Sequence, residues 1–149
     1  MQEKPSPMGP DLPKIKAGPR NLISDIDGLY VGHAHDAEAR TGVSVILPQN
    51  PAIAAVFVPG GGPGTRETDA LQPANLVERA DAVVLSGGSV YGLDAASGVT
   101  TALAQDGRGY PTGAPIPSPI VPAAILFDLA NGGDKQWGLE PPYRQLGLT

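Results

Sequence analysis

The chain has 149 residues, of which 20 are Gly and 17 are Pro; 41% are hydrophobic and 17% are charged. This composition lies near the limit for a folded domain, but it lacks the high charge of a disordered chain. The net charge of -5 argues against nucleic-acid binding, and the absence of Cys excludes disulfides, thiolate metal sites and a cysteine nucleophile. With no apolar stretch of membrane-spanning length, we predict a cytoplasmic protein with no metal, cofactor, nucleic-acid or membrane partner.

Residues 1–20 form the first segment and contain five prolines with only isolated aliphatic residues. Neither a helical nor a strand periodicity develops across such a segment. We therefore predict a flexible leader over residues 1–20 and place the folded domain in residues 21–149.

Three apolar segments come next, and each is bounded by turn-forming residues. The predicted strands are Leu29–His33, Thr41–Leu47 and Ala52–Val58. Their connections are short and polar, which suits hairpins better than crossovers. The pattern therefore predicts an antiparallel meander of three strands.

The second half of the chain alternates helical and apolar patterns. In chain order we predict a short helix over Asp69–Arg79, a buried strand over Ala82–Leu85, a helix over Tyr91–Gln105, a Pro-rich loop over 111–119, an apolar run over Ile120–Leu129 and a turn-rich tail from Asn131. The small residues at 95–98 suggest that the longer helix packs closely on a sheet, and the tail shows no closing element.

The first candidate site is a glycine turn between the strand ending at Leu85 and the helix. Gly87 and Gly88 precede Ser89 and Tyr91 there, and bare N–H groups at such a turn attract an anion or an oxyanion. The spacing matches neither a dinucleotide fingerprint, a phosphate loop nor a nucleophile elbow. Tight packing of a helix against a sheet is the alternative interpretation.

A second candidate is the glycine-rich loop over residues 60–69. Its glycines remove side chains, and Arg66, held by Glu67 or Asp69, is then available to a substrate carboxylate. A long turn capped by Thr68 or Asp69 is the alternative.

Two further features carry weaker hypotheses. His33 and His35 lie on one side of a strand and could bind a metal, but a third ligand is not evident. Surface histidines at a strand end are the simpler interpretation. The tail turn with Trp137 could line a site or could pack over a loop as a rim contact.

Several motifs, taken together and in order, resemble one family. They are Gly61–Glu67, Ser86–Ala96, Pro119–Leu129, Asn131–Gly138 and Pro141–Tyr143. The chain from about Asn21 to Gly147 is similar to the self-processing aminopeptidases that include the L-aminopeptidase/D-esterase, β-peptidyl aminopeptidases and nylon-oligomer hydrolases.

This resemblance implies an α+β fold that is part of a four-layer α-β-β-α sandwich with a mainly antiparallel sheet. It also implies a precursor that cleaves itself before a Ser or Thr, whose new α-amine then activates the adjacent hydroxyl. Family members are much longer, so residues 21–149 are expected to be the incomplete N-terminal portion of the domain. We expect the nucleophile beyond Thr149, on a C-terminal partner chain, and we expect this chain alone to be inactive.

The resemblance also implies a small peptide or amide substrate. The expected substrate-binding residues are Gly87, Gly88, Ser89, Tyr91, Arg66, Glu67 and Phe127. Phe127 stands where several family members carry a helpful Tyr, and Ile125 stands where an acid can hold the substrate amine. No catalytic residue is expected within this chain.

Two other functions are compatible with the sequence. One is a non-catalytic truncated remnant or assembly subunit of the same fold, and the other is a small-ligand binding module that uses the loop at residues 60–64. A strand that is apolar on both faces exposes one of them unless another chain packs on it. The apolar strands therefore predict a homo-oligomer.

Overall fold

A computed structural model describes residues 16–149 of the chain, so most of the predicted leader lies outside the described residues. Its elements are β1 Leu29–Asp36, β2 Thr41–Pro48, β3 Thr65–Arg66, β4 Val83–Ser86, α1 Ala95–Gln105, β5 Ala123–Ile125 and α2 Tyr143–Leu148. Short 3-10 turns occupy Ile23–Asp25, Thr68–Leu71 and Ser89–Asp94. Within the described residues, no helix is long and apolar enough to cross a membrane.

The strands form one sheet in the order β1-β2-β4-β5-β3. All neighbours are antiparallel except β4 and β5, which run parallel. The register places Val43 opposite Ser86 and Val84 opposite Ala123. The predicted α+β class and the mainly antiparallel sheet are confirmed.

One face of this sheet carries the hydrophobic core. Val43, Val84 and Ala123 project from it and are buried with Val99 and Leu103 of α1. Alternate residues of a strand point to opposite faces, so the other face carries Ile46, Val83 and Leu85. Leu85 is 46% exposed there, so the described residues leave this face partly uncovered.

The two helices pack on each other through small residues. A side chain at Gly98 would overlap the carbonyl of Arg144 in α2, and one at Gly147 would overlap the carbonyl of Ala95 in α1. The predicted close packing on a sheet applies to Ala95 and Ala96, which are buried in the core with Val43 and Val84, whereas Gly98 packs on α2.

The predicted third strand, Ala52–Val58, is wrong. Only an isolated bridge between Ala52 and Ala80 forms there, and Phe57 is 87% exposed. The physical reason is that β4 pairs with β2 through residues Val43–Ile46, so the segment cannot lie beside β2 as the third strand of a meander.

Two helix predictions also need correction. Over Asp69–Arg79 only the 3-10 turn Thr68–Leu71 forms, because Pro73 limits the helix and Leu76 stays exposed. The predicted helix over Tyr91–Gln105 divides into the 3-10 turn and α1. The tail was expected to contain no closing element, yet α2 forms there because burial of Tyr143 anchors it.

Candidate active site

The glycine turn and the segment after β5 meet at one edge of the sheet. Parallel strands end at the same edge, so the residues that follow β4 and β5 become neighbours. The N–H of Ser89 donates to the carbonyl of Leu126 at 3.0 Å, and the N–H of Gly88 donates to Oδ1 of Asp128 at 2.7 Å. The structure therefore brings the predicted residues Gly87, Gly88 and Ser89 close to the segment that contains Phe127.

Asp128 joins three segments at this edge. Its Oδ1 accepts from Gly88, and its Oδ2 accepts from the hydroxyl of Thr41 at 2.6 Å. A side chain at Gly87 would overlap both the Asp128 carboxylate and Thr41. The sequence analysis did not select Asp128 as a site residue. Its position within an apolar run could have indicated it, because a charged side chain in apolar surroundings needs a hydrogen-bonding partner.

The N–H groups of the two glycines are used within the protein. Gly87 donates to the carbonyl of Gly42 at 2.9 Å, and Gly88 donates to Asp128. Both glycines are buried, and the ring of Tyr143 lies directly against Gly88, whose φ is 84°. These N–H groups are therefore not free to bind an anion or an oxyanion as the first interpretation of the turn required, and the turn also serves to pack the helix start against the sheet.

Three of the predicted residues surround this turn with accessible side-chain surface. Phe127 is 68% exposed and Tyr91 is 47% exposed, with Tyr91 in edge contact with Trp137 at a centroid distance of 5.7 Å. Ser89 has a φ of 52°, a conformation that costs energy in a non-glycine residue. Backbone strain beside accessible aromatic rings fits a binding site, and the substrate contacts of these residues stay a prediction.

Arg66 and Glu67 are held by other segments. Arg66 Nη1 donates to the hydroxyl of Ser97 at 2.6 Å and to the carbonyl of Leu93 at 3.4 Å. Glu67 Oε2 accepts from the N–H of Val121 at 3.0 Å. The expected pairing of Arg66 with Glu67 or Asp69 is wrong, because the Arg66 contacts fasten β3 to α1. Any role of Arg66 and Glu67 in substrate binding stays a prediction.

The histidine pair lies on the less covered face of the sheet. His33 Nδ1 is 2.8 Å from the hydroxyl of Ser44, its cross-strand neighbour. From Lys16 to the end of the chain, no group of three His, Cys, Asp or Glu side chains is arranged to hold a metal ion.

Trp137 lies between Tyr91 and Tyr143 and packs against the core. Its ring meets that of Tyr143 edge-on at a centroid distance of 5.8 Å. The tail that precedes it is fastened to the β1–β2 turn, since Asp134 donates its N–H to the carbonyl of Glu38 at 2.9 Å. Trp137 therefore packs on two aromatic rings and the core rather than over a loop, and this contact connects the glycine turn to α2.

Tyr143 should make the stability of this region depend on pH. Burial raises the pKa of its phenol above the usual 10.0; the Thr41 hydroxyl acts in the opposite direction, and the charges of Asp128 and Asp36 raise it further. A raised pKa in the folded state means that stability is fully present below the unfolded pKa and is lost as the pH rises above it. We expect the free energy of unfolding to fall above pH 10 and Tyr143→Phe to reduce that fall in urea titrations.

The exposed Tyr30 supplies the matched control for this measurement. It is 55% exposed, so Tyr30→Phe controls for the loss of a tyrosine hydroxyl outside the core. An identical decline in the Tyr143→Phe protein would contradict the assignment.

Comparison with known proteins decides the family. The sequence profile of peptidase family S58 matches residues 21–146. The chain belongs to peptidase family S58. It is 47% identical over 126 residues to an uncharacterized aminopeptidase of Mycobacterium leprae, covering 79% of this chain and 34% of that protein.

Two further relatives extend the comparison. An uncharacterized aminopeptidase of Mycobacterium tuberculosis strain H37Rv is 45% identical over 129 residues, covering 81% of this chain and 36% of the relative. A 6-aminohexanoate-oligomer endohydrolase of Kocuria sp. is 32% identical over 119 residues, covering 80% of this chain and 31% of the relative. This S58 chain thus spans about a third of the length of these relatives.

Proposed function

We propose that this S58 chain is the N-terminal portion of a self-processing aminopeptidase or amidase. The Ser or Thr nucleophile follows Thr149 in the complete polypeptide and becomes the N-terminus of a second chain after self-cleavage. Its own α-amine then serves as the base, so no His is required in this chain. The observation that carries the proposal is the family match over residues 21–146 in a chain that covers about a third of its relatives.

The substrate is a small peptide or amide that binds beside the glycine turn. The parallel β4–β5 pair supports this placement, because it brings the turn and Phe127 to one edge of the sheet. Active sites of open sheets commonly form where residues from the carboxyl ends of neighbouring strands meet. In this arrangement Tyr91 and Phe127 provide the accessible aromatic surface, and Asp128 holds the turn in place.

The second chain also supplies cover for the sheet. The face that carries Ile46, Val83 and Leu85 is incompletely buried by the described residues, and a second β-sheet packed on it would complete a four-layer sandwich. We extend the proposal to a homo-oligomeric enzyme of the cytoplasm, consistent with further exposed apolar residues such as Phe57 and Leu126.

Expression of the complete reading frame tests the proposed function. We expect mass spectrometry to show cleavage before a Ser or Thr and the processed protein to hydrolyse aminoacyl p-nitroanilides. Substitution of that residue by Ala should abolish both cleavage and hydrolysis, while residues 1–149 alone should be inactive. The matched control is Ser89→Ala in the complete protein, which should retain self-cleavage.

The opposite pattern would reject the proposal. Hydrolysis by residues 1–149 alone, with activity lost on Ser89→Ala, would identify Ser89 as the nucleophile. A complete protein that folds but neither cleaves itself nor hydrolyses amides would favour the non-catalytic assembly subunit.

A further inference from the structure

An extended apolar segment, residues 53–58, follows β2 without joining the sheet. Residues 53–59 contain neither a turn nor a bend. Within residues 16–149, no main-chain N–H or carbonyl of residues 53–58 takes part in a hydrogen bond. Ile53 is 77% exposed and Phe57 is 87% exposed. This segment therefore combines exposed apolar side chains with main-chain groups that have no partner in the described part of the chain.

Residues 53–58 also lack the features that protect exposed strand edges. Sheet edges that face water usually carry charges, bulges or prolines that prevent pairing with another strand. The chain has no charged side chain over residues 49–65, and the nearest prolines, Pro51 and Pro59, lie outside the segment. Ile, Val and Phe, which favour strands, predominate within it. The composition is thus typical of a strand that has a partner.

A cavity of about 520 Å³ borders this segment. Ala52, just before the segment, forms an antiparallel bridge with Ala80: the N–H of Ala52 donates at 3.0 Å, and the N–H of Ala80 donates back at 2.8 Å. Beyond this bridge the described residues form no further main-chain bond between the two segments. The cavity is lined by residues 53–56 and by members of residues 71–78, among them Leu71 and Val77. Space is therefore available beside the segment for apolar side chains of an added strand.

We propose that an extended apolar strand from the part of the polypeptide that follows Thr149 pairs with residues 53–58. This inference rests on the second chain of the proposed function. The new ladder gives hydrogen-bond partners to the main chain of the segment, as in other cases of strand addition. Ile53 and Phe57 share one face because strand side chains alternate, and they pack against apolar side chains of the added strand.

The length of the relatives favours this occupant over a second copy of the chain. About two thirds of the length of the mycobacterial relatives has no counterpart here. A strand on the same precursor pairs at the high effective concentration of an intramolecular contact. Self-pairing would join only residues 53–58 of each copy, whereas stable interfaces commonly involve about 20–30 residues a side. Contacts between copies in the proposed homo-oligomer then use other exposed apolar residues, such as Leu126.

Hydrogen-exchange mass spectrometry on the complete protein tests the pairing. We expect the amides of residues 53–58 to exchange at least about hundredfold more slowly than those of an unpaired chain. The matched control is the loop over residues 112–116 of the same protein. It is also exposed and forms no bond between main-chain groups within the described residues, so it should exchange within about tenfold of the unprotected rate. Equally fast exchange of the two segments would overturn the proposal.

A photo-crosslink identifies the strand that pairs with the segment. Phe57→p-benzoyl-phenylalanine keeps an aromatic ring at an exposed position, and irradiation should join it to a peptide that follows Thr149. The same replacement at Leu139, which is 100% exposed, should give no crosslink to that peptide. A crosslink from position 57 to residues 1–149 of another copy, or no crosslink in the folded variant, would overturn the proposal. Hydrogen exchange of the unmodified protein decides the question if the variant does not fold.

The pairing and the proposed function can fail separately. A protein that cleaves itself and hydrolyses amides, but exchanges residues 53–58 as fast as residues 112–116, would reject the pairing alone. A protein that protects residues 53–58 through a strand after Thr149, yet neither cleaves itself nor hydrolyses amides, would reject the function alone.

Discussion

Gly88→Ala is expected to lower the free energy of unfolding by about 2–5 kcal/mol, because it combines backbone strain with overpacking. Gly88 has a φ of 84°, in the left-handed region that L side chains rarely adopt. A methyl group there would also overlap the ring of Tyr143, which is fully buried and cannot move away. Urea unfolding of the variant and the parent protein measures the loss.

Gly113→Ala is the matched control for the part of the stability loss that comes from backbone strain. Gly113 has nearly the same φ, 81°, but no atom lies within 4 Å of the position of an added side chain. The Gly113→Ala substitution should therefore lower the free energy of unfolding by only about 1–2 kcal/mol. Equal losses in the two variants would show that the contact with Tyr143 contributes nothing.

The same pair of variants reports on function. In the complete polypeptide, Gly88→Ala should impair the proposed amide hydrolysis beyond its effect on stability, because the turn would move relative to Phe127. Gly113→Ala should leave hydrolysis near the parental rate. Full activity in a folded Gly88→Ala enzyme would remove the glycine turn from the proposed substrate site.

Asp128→Ala is expected to cost about 2–4 kcal/mol of unfolding free energy, because two donors lose their acceptor. The N–H of Gly88 and the hydroxyl of Thr41 both donate to this carboxylate, at 2.7 Å and 2.6 Å. Asp128→Asn keeps one carbonyl acceptor, and its amide can donate to the Thr41 oxygen. The Asn variant should lose about 1 kcal/mol or less.

A double-mutant cycle with Thr41→Val separates the two contacts. If the Thr41 hydroxyl and Asp128 act as one unit, the combined loss should differ from the sum of the single losses by about 0.5–3 kcal/mol. Strict additivity, or equal losses for Asp128→Ala and Asp128→Asn, would show that this carboxylate does not fasten the turn.

The elements with the strongest local signals were predictable from the sequence. Apolar segments bounded by turn-forming residues defined β1 and β2, although β1 ends at Asp36 rather than His33 and β2 at Pro48 rather than Leu47. The apolar spacing over residues 93–103 defined α1. The order and spacing of the motifs also pointed to the family that the comparison identified. These features depend on near neighbours in the chain, so the sequence contains most of the information that determines them.

The residues of the candidate site could likewise be predicted only where the indication came from residues nearby in the sequence. Gly87, Gly88 and Phe127 could be selected from motifs, but their proximity depends on the parallel pairing of β4 with β5. Asp128 and Tyr143 escaped selection because their partners, Thr41 and Gly88, lie far away in the chain. A hydrogen bond or ring contact of that kind leaves no periodic signal.

By itself, the sequence determined the α+β class, the principal strands and helix, and the resemblance to the peptidase family. The tertiary structure alone decided that β4, rather than Ala52–Val58, pairs with β2, and that six residues after Pro142 form a helix. It also decided that the glycine N–H groups are used internally. The physical reason is that the secondary-structure propensity of a segment depends on residues near it in the sequence. Which segment pairs with a strand edge or accepts from a buried donor depends instead on distant segments that meet only in the folded chain.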